Sequence, residues 1–231
     1  MDVNRVKAVQ RALDRRQRRV YLEIGISIGK AFRRIVAEEK IAVDPAMVIS
    51  ARNRKRAASM ASATHYFETS SDAFFASESA FLNQRGIDVA LIDGLHTHRQ
   101  VMRDVENTLH FLREDGVILV HDCNPTRASI AFPAESYADF RERNSWWYKS
   151  WSGDVWKAIV ELRCTRDDLR VAVLNCDYGV GVIRRGEPDS LLPLSTAQIE
   201  ALDYSDLAAD RSRLLNLISP TDFDDFLSSR Q

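Results

Sequence analysis

The sequence lacks several features that would assign it to a class at once. None of its apolar runs reaches 18 residues, so it predicts no membrane-spanning helix. Its first 19 residues, MDVNRVKAVQRALDRRQRR, lack the apolar core of a secretory signal, and a cytoplasmic location is the expectation. Internal repeats are also absent. A hydrophobic content of 45% is ample for a packed core, so the sequence predicts a soluble globular protein.

Cysteine is scarce and net charge is nearly zero. Cys123, Cys164 and Cys176 show neither C-x-x-C nor zinc-ligand spacing, which predicts reduced thiols without a disulfide or structural zinc. The 32 basic and 33 acidic residues leave a net charge of −1, so no overall field drives the protein towards nucleic acid. The arginine-rich stretches RALDRRQRR and ARNRKR are expected to be solvated helix faces.

Short apolar segments alternate with longer helix-like segments from residue 20 to about 125. This pattern is typical of a parallel sheet with crossover helices, so we expect an α/β, Rossmann-like, doubly wound fold. The predicted strands are RVYLEIGI, KIAVDP, ATHYFET, IDVALIDG and GVILVHD. The predicted helices between them are GKAFRRIVAEE, AMVISARNRKRAASMA, SDAFFASESAFLNQRG and HRQVMRDVENTLHFLRED.

The remainder of the chain predicts additions to this core. DVWKAIVELRCTR is helical in pattern, and LRVAVLNCDYGVGVIRRG reads as an antiparallel hairpin that completes a mostly parallel seven-stranded sheet. The tail is helical in pattern with a break at Pro220. We expect a single domain with five parts: an N-terminal helix (1–19), a cofactor-binding core (20–125), an irregular acceptor cap (126–153), the helix and hairpin (154–186) and a helical tail (187–231).

Polar residues cluster at the predicted strand ends. Ligands of parallel α/β sheets collect beyond the carboxyl ends of the strands. Carboxylates gathered at one edge repel one another unless a cation or a hydroxyl-rich ligand lies among them, so this pattern predicts a ligand site. The candidate residues are Glu23, Gly25, Asp44, Ser71, Asp72, Asp93, His96, His121 and Asp122.

The turn after the first strand has the spacing Gly25-x-x-x-Gly29, which is not the G-x-G-x-x-G of a dinucleotide site. Glycines allow the backbone to approach a ligand, and the N-terminus of a following helix would offer N–H groups to a carboxylate. Taken alone, the two glycines fit an ordinary connection between a strand and a helix as well as they fit a cofactor-binding turn.

Glu23-x-Gly25-x-x-x-Gly29, with Asp44 ending the second strand, resembles the cofactor signature of class I S-adenosylmethionine-dependent methyltransferases. Residues 88–125 resemble the branch that includes small-sugar, macrolide-sugar and polysaccharide O-methyltransferases. The resemblance implies that Asp44 accepts hydrogen bonds from the ribose hydroxyls. The cofactor-binding residues it implies are Glu23, Gly25, Ser27, Gly29, Asp44, Ser71, Asp72 and Asp93.

Metal-dependent members of that branch hold Mg²⁺ with two acids, and a histidine three residues after the first acid removes the proton. The resemblance therefore implies Asp93 and Asp122 as metal ligands and His96 as the base. A sugar hydroxyl is too weak an acid to ionise unaided, so a metal and a base supply what the reaction needs. His121 stands where some relatives have another acid, so it is an alternative ligand or base. Many relatives need no metal, and Asp93 could simply cap a loop.

All four tryptophans fall within WWYKSWSGDVW, residues 146–156. Aromatic faces stack on sugars, so Tyr148 and Trp151 are candidate substrate contacts and Trp156 is a candidate core residue. Anchoring of the cap, or a dimer interface, explains the cluster equally well. The remaining histidines are expected to be structural or superficial, with His98 on the polar outer side of its helix: His65, His98 and His110.

The sequence thus predicts an S-adenosylmethionine-dependent O-methyltransferase that acts on a hydroxyl of a sugar or glycan, with Mg²⁺ assistance and a histidine base. The expected partner is a small-molecule or oligosaccharide acceptor, with no membrane; small relatives often pair, which suggests a homodimer. One alternative keeps the cofactor but uses RNA as the acceptor, bound by the arginine-rich helices. Another is a non-catalytic, cofactor-binding scaffold.

Overall fold

The computed structural model describes residues 3–144 and 150–228. The chain has an α/β, Rossmann-like fold with mostly parallel strands, as the sequence predicts. Its described residues fall into two compact units: 3–94 with 103–119, and 95–102 with 120–144 and 150–228. Within the described part of the chain, every helix is too short or too polar to cross a membrane.

The first unit contains the cofactor loops predicted from the sequence. Its elements are α1 (Arg5–Asp14), β1 (Val20–Ile24), β2 (Glu39–Val43), α2 (Ala51–Ala58), β3 (Ala63–Phe67), α3 (Ser71–Ser77), α4 (Ser79–Arg85), β4 (Ile87–Ile92), most of α5 (His98–Phe111) and β5 (Leu112–Val120). The strand order is β3-β2-β1-β4-β5, and β1 pairs in parallel with β2 and β4. Every residue of β1 and β4 is buried, which explains why both strands are mainly apolar, with Glu23 and Asp88 as the exceptions.

The second unit contains the C-terminal additions. Its further elements are α6 (Tyr137–Arg143), α7 (Trp156–Thr165), β6 (Leu169–Leu174), β7 (Val180–Arg185), α8 (Thr196–Ala201), α9 (Tyr204–Leu215), β8 (Leu217–Ile218) and α10 (Phe223–Ser228). The antiparallel hairpin of β6 and β7 confirms the prediction. β8 pairs in parallel with β6 and brings the described strands to eight, where a helical tail was expected. Two residues are too few to show a strand pattern in the sequence.

The helix predicted over residues 29–39 is wrong. A three-residue 3-10 turn, Phe32–Arg34, is the only helical structure there, and the chain becomes extended at Ile35. Lys40 supplies the physical reason. Its buried Nζ donates to the carbonyl oxygens of Phe32, at 2.8 Å, and Ile35, at 2.9 Å. These bonds satisfy carbonyl groups that a helix would otherwise pair with its own N–H groups.

Three other predicted helices are shorter than expected. The helix predicted over 46–61 is confined to α2, and the one predicted over 71–86 divides into α3 and α4 at Glu78. α5 ends at Phe111, and β5 starts at the next residue although LRED favours helix. Strand pairing outweighs the local propensity there, and Gly116 lies inside β5.

Candidate active site

Glu23 lies inside β1 rather than after it, and it is buried. The Tyr21 hydroxyl donates to its Oε2 at 2.6 Å. The pKa of Glu23 is raised from 4.5 to about 8, chiefly by burial; the Tyr21 hydrogen bond opposes this shift, and the nearby charge of Asp93 adds to it. The carboxyl group is therefore largely protonated at neutral pH.

The glycines after β1 are required by contacts within the protein. Gly25 has φ of +85°, and a Cβ there would lie 2.2 Å from the carbonyl oxygen of Asp93. Gly29 has φ of +71°, and a Cβ there would lie 2.5 Å from Cδ1 of Ile49. Because the segment after Gly29 forms a 3-10 turn, the expected helix N-terminus beside a cofactor is absent from this described segment. Contact of these glycines with a cofactor stays a prediction.

Asp44 joins the loops that follow β1 and β2. Its Oδ2 accepts from the backbone N–H of Ser27 at 2.7 Å, and its Oδ1 accepts from Ala46 N–H at 2.8 Å. Ser27 has a left-handed backbone, with φ of +45°. A carboxylate has about four lone-pair sites, so two hydrogen bonds leave Asp44 capacity for ribose hydroxyls.

The other predicted cofactor residues lie at the starts or ends of their elements. Ser71 is buried at the first residue of α3. The carboxylate of Asp72 lies 3.4 Å from Nε of Arg103 on α5. Asp93 follows β4, and its Oδ2 lies 3.5 Å from Nε of Arg5 on α1. Arg5 thus offsets the charge of Asp93, a contact that the sequence separation of the two residues hides.

In the second unit, the ring of His96 is held by a backbone carbonyl. Its Nδ1 lies 2.6 Å from the carbonyl oxygen of Trp151 and 3.7 Å from Oδ2 of Asp122. A carbonyl oxygen only accepts hydrogen bonds, so Nδ1 carries the proton. In the neutral ring, Nε2 is then the nitrogen with the lone pair. This tautomer suits a general base that works through Nε2.

Asp122 is the polar centre around His96. It is buried, and its φ of +63° is uncommon for a residue with a side chain. Its Oδ1 accepts from the Ser152 hydroxyl at 2.7 Å, and its Oδ2 lies 2.9 Å from Nδ1 of His121. Strained backbone of this kind persists where surrounding contacts hold it, and it clusters at functional sites. Ser152 was missed because its sequence context gives no signal.

His121 has a carboxylate at each ring nitrogen. Its Nδ1 faces Asp122, and its Nε2 lies 3.6 Å from Oδ1 of Asp177. Asp177 and Tyr178 occupy the turn between β6 and β7, both with positive φ. The turn is anchored where Asn124 N–H donates to the Tyr178 carbonyl at 2.6 Å. An acceptor hydroxyl would have to displace one of these carboxylates to reach a ring nitrogen of His121.

The Trp151 ring is buried and stacks on Phe140 with a centroid distance of 5.7 Å. Its Nε1 donates to the carbonyl oxygen of Phe132 at 2.8 Å, so the ring anchors the segment that holds His96. Its predicted contact with substrate stays a prediction. Tyr148 lies outside the described residues. Trp156 is buried, as predicted for a core residue.

The prediction that His98 lies on the polar outer side of α5 is wrong. His98 is buried, its backbone N–H donates to Asp154 at 2.7 Å, and its Nε2 lies 2.5 Å from Oε2 of Glu161 on α7. It precedes the buried Val101 by three residues, which places both on the same helix face. The other two histidines have no role in this site: His65 contacts Glu39, and His110 is exposed.

Comparisons with known proteins find one family model and similar folds. Residues 22–123 match a family model described as a methyltransferase domain. The match spans less than half of the chain, over which the chain is similar to methyltransferase domains. The matched segment begins in β1 and ends just after Asp122, so it includes the glycine turn and the residues at the strand ends. Among curated proteins, none matches the chain significantly.

Several solved structures resemble this chain in fold. A Corynebacterium glutamicum protein from a structural genomics programme has a TM-score of 0.50 at 11% identity, covering 78% of this chain and 79% of its own. MycE from the mycinamycin pathway, solved with Mg, SAH and mycinamycin VI, gives 0.45 at 12% identity over 89% and 53%. The N-methyltransferase NodS of Bradyrhizobium japonicum gives 0.43 at 14% identity over 80% and 95%.

Proposed function

We propose that the protein transfers a methyl group from S-adenosylmethionine to a hydroxyl of a sugar or glycan in the cytoplasm, with His96 as general base. The observation that supports this most directly is the contact between Nδ1 of His96 and the Trp151 carbonyl. It leaves Nε2 as the proton-accepting nitrogen. Sugar hydroxyls keep their protons at neutral pH, so their methylation needs such a base.

The proposed cofactor site uses the loops after β1 and β2. Asp44 would accept from the ribose hydroxyls through lone pairs that Ser27 and Ala46 do not use. The bound cofactor supplies an electrophilic methyl group on its sulfonium. The site residues in this proposal are Glu23, Gly25, Ser27, Gly29, Asp44, Ser71, Asp72 and Asp93.

Asp93 and Asp122 are the proposed ligands of Mg²⁺. Two carboxylates fit this ion, which prefers oxygen ligands and retains several waters. Asp93 stands three residues before His96, so the chain keeps their Cα atoms within about 10 Å of each other. His96 in turn lies 3.7 Å from Asp122. The ion would lower the pKa of a bound acceptor hydroxyl, which makes the work of the base easier.

Residues of this chain would accept the proton that the acceptor hydroxyl loses and stabilise the charge that results. Nε2 of His96 would take it from the acceptor hydroxyl, while the Trp151 carbonyl fixes the ring through Nδ1. The Asp122 carboxylate, 3.7 Å from that nitrogen, would stabilise the resulting imidazolium. Ser152 holds Asp122 in place through its hydroxyl. Methyl transfer itself is helped chiefly by the positioning of donor and acceptor.

The proposal is tested with labelled S-adenosylmethionine and a panel of mono- and oligosaccharides, with Mg²⁺ and with a chelator. We expect label in a saccharide, lost with His96→Gln and reduced by the chelator. Incorporation that the chelator leaves untouched would remove the metal from the proposal. Incorporation into RNA alone would replace the acceptor. Unchanged behaviour of a His96→Ala, His121→Ala double variant would support the scaffold alternative.

A further inference from the structure

The charge of the protein is unevenly distributed along the chain. Residues 1–60 carry 15 Lys and Arg but six Asp and Glu, whereas the whole chain has a net charge of −1. The remaining residues therefore carry an acidic excess. Such asymmetry within a neutral protein indicates a basic region available to an anionic partner.

Five cations of this region form what we call the basic face. All five are exposed, and among the described residues none of their side chains has a hydrogen-bond or ion-pair partner. They lie on the 3-10 turn after β1, or next to it, and on α2. The basic face comprises Lys30, Arg34, Arg52, Lys55 and Arg56.

The two parts of the basic face are held together by packing in the first unit. Nη1 of Arg33 contacts Oδ1 of Asn53 at 3.4 Å, and Nδ2 of Asn53 donates to the Ile28 carbonyl at 3.0 Å. These bonds fix α2 beside the segment that carries Lys30 and Arg34. On α2, the three basic residues are spaced i, i+3 and i+4, so they project from one side of the helix.

Two exposed aliphatic side chains lie in the segments that carry the basic face or lead into α2. Ile28 and Val48 are 54% and 63% exposed, and Val48 N–H donates to the Ser27 carbonyl at 3.3 Å. Tyr66 is covered by the guanidinium of Arg54, which lies 4.3 Å from the ring centroid. Proteins that bind single-stranded nucleic acid use aromatic side chains as stacking platforms for the bases. The basic face and its described neighbours therefore suit a polymer with regular negative charge and no bases.

We infer that the basic face binds an acidic polysaccharide, a glycan with a carboxylate on its repeating sugars. Guanidinium groups pair well with carboxylates, and the apolar faces of sugar rings pack on aliphatic side chains such as Ile28 and Val48. This inference rests on the proposed function and deepens it, because it specifies the charge of the glycan acceptor. The loops concerned also carry Ser27 and Gly29 of the proposed cofactor site.

The test measures binding of fluorescently labelled polygalacturonate to the full chain, without cofactor, at increasing salt. Neutral dextran and poly(U) RNA are the comparison ligands. We expect polygalacturonate to bind best, with an affinity that falls as salt rises because ions are released on binding. The triple variant Arg52→Glu, Lys55→Glu, Arg56→Glu should bind it about tenfold more weakly or worse, from three reversed exposed contacts.

A matched variant separates local from overall charge. Arg99→Glu, Arg143→Glu, Arg213→Glu changes the net charge by the same amount at exposed positions elsewhere, where each cation has a carboxylate partner. We expect it to keep nearly all of the affinity. Equal losses in the two triple variants would overturn the inference, as would tighter binding of poly(U) or equal binding of dextran. Thermal unfolding of each variant shows whether the fold is retained.

Binding and catalysis can fail separately in this design. If neutral saccharides are methylated but polygalacturonate does not bind, the inference about the basic face is wrong and the proposed function stands. If polygalacturonate binds through the basic face but no saccharide accepts label, the proposed methyl acceptor is wrong and the binding surface stands.

Discussion

The Nδ1 atom of His96 lies 2.6 Å from the carbonyl oxygen of Trp151. This one contact assigns the proton within the ring and distinguishes His96 from His121, which has a carboxylate oxygen near each nitrogen. The two histidines should therefore respond differently to substitution, although both were candidate bases from the sequence.

We expect His96→Gln to lower kcat by about 10²- to 10⁴-fold, the usual contribution of a general base. His121→Gln should have a smaller effect on kcat, because that ring holds Asp122 and Asp177 rather than the reacting proton. Steady-state kinetics with labelled cofactor measure both. Thermal unfolding serves as the control for folding, and equal losses of kcat would contradict the assignment.

Ser152→Ala should destabilise the protein by about 1–3 kcal/mol, because it removes the hydroxyl that donates to the buried Asp122 carboxylate. Urea denaturation measures the change in the free energy of unfolding. Ser150→Ala, at an exposed position two residues earlier, is the matched control and should change stability by less than about 0.5 kcal/mol. Equal effects of the two substitutions would show that the hydrogen bond is unimportant for stability.

Gly25→Ala should be far more damaging than Gly186→Ala. Both glycines have positive φ, but a Cβ at Gly25 would meet the Asp93 carbonyl at 2.2 Å, whereas at Gly186 the nearest atom is 3.7 Å away. Backbone strain alone costs about 1–3 kcal/mol, so Gly186→Ala should lose about that much. The backbone clash adds to this cost at Gly25. Melting temperatures and soluble yield report the difference, and equal melting temperatures would refute the close approach.

The pH dependence of stability should reveal Glu23. Its pKa is raised from 4.5 to about 8 in the folded protein, so the folded state holds a proton between these values that the unfolded state has lost. Unfolding then releases a proton, and this contribution to stability falls as pH rises through that window. Above pH 8 it changes no further.

Glu23→Gln keeps an acceptor for the Tyr21 hydroxyl and removes the titration. We expect the variant to lose less stability than the wild type between pH 5 and 8, and to be the more stable of the two at pH 8. Urea denaturation across this range makes the comparison. Parallel stability curves for the two proteins would mean that Glu23 titrates normally.

The sequence predicts the strands better than the segments between them. β1, β4 and the end of β5 are buried, so their composition reports the sheet directly. The segment after Gly29 has a helical pattern, but Lys40 binds two of its carbonyl oxygens from β2. The sequence pattern of residues 29–39 does not reveal a contact made by a side chain outside that segment. The helix prediction fails there for this reason.

In the candidate site, too, local features of the sequence were predictive and contacts between distant residues were not. Strand-end position and family resemblance predicted His96 and Asp122, and they lie 3.7 Å apart. The residues that hold such groups were not predicted, because Arg5, Ser152 and Asp177 reach them from distant positions in the sequence. His98 was misplaced although its three-residue spacing from Val101 was available as a signal.

The turn between β6 and β7 also limits which insertions and changes of length the chain can accept there. Asp177, Tyr178 and Gly179 all have positive φ, and the turn is bonded to Cys123 and Asn124 through its carbonyl oxygens. An insertion of one residue would withdraw the Asp177 carboxylate from His121 and break the register with that neighbouring segment. In natural relatives that retain this histidine, the length of the turn should vary less than that of other exposed loops. An affinity tag or a circular permutation should be tolerated poorly at this turn, despite its place on the surface.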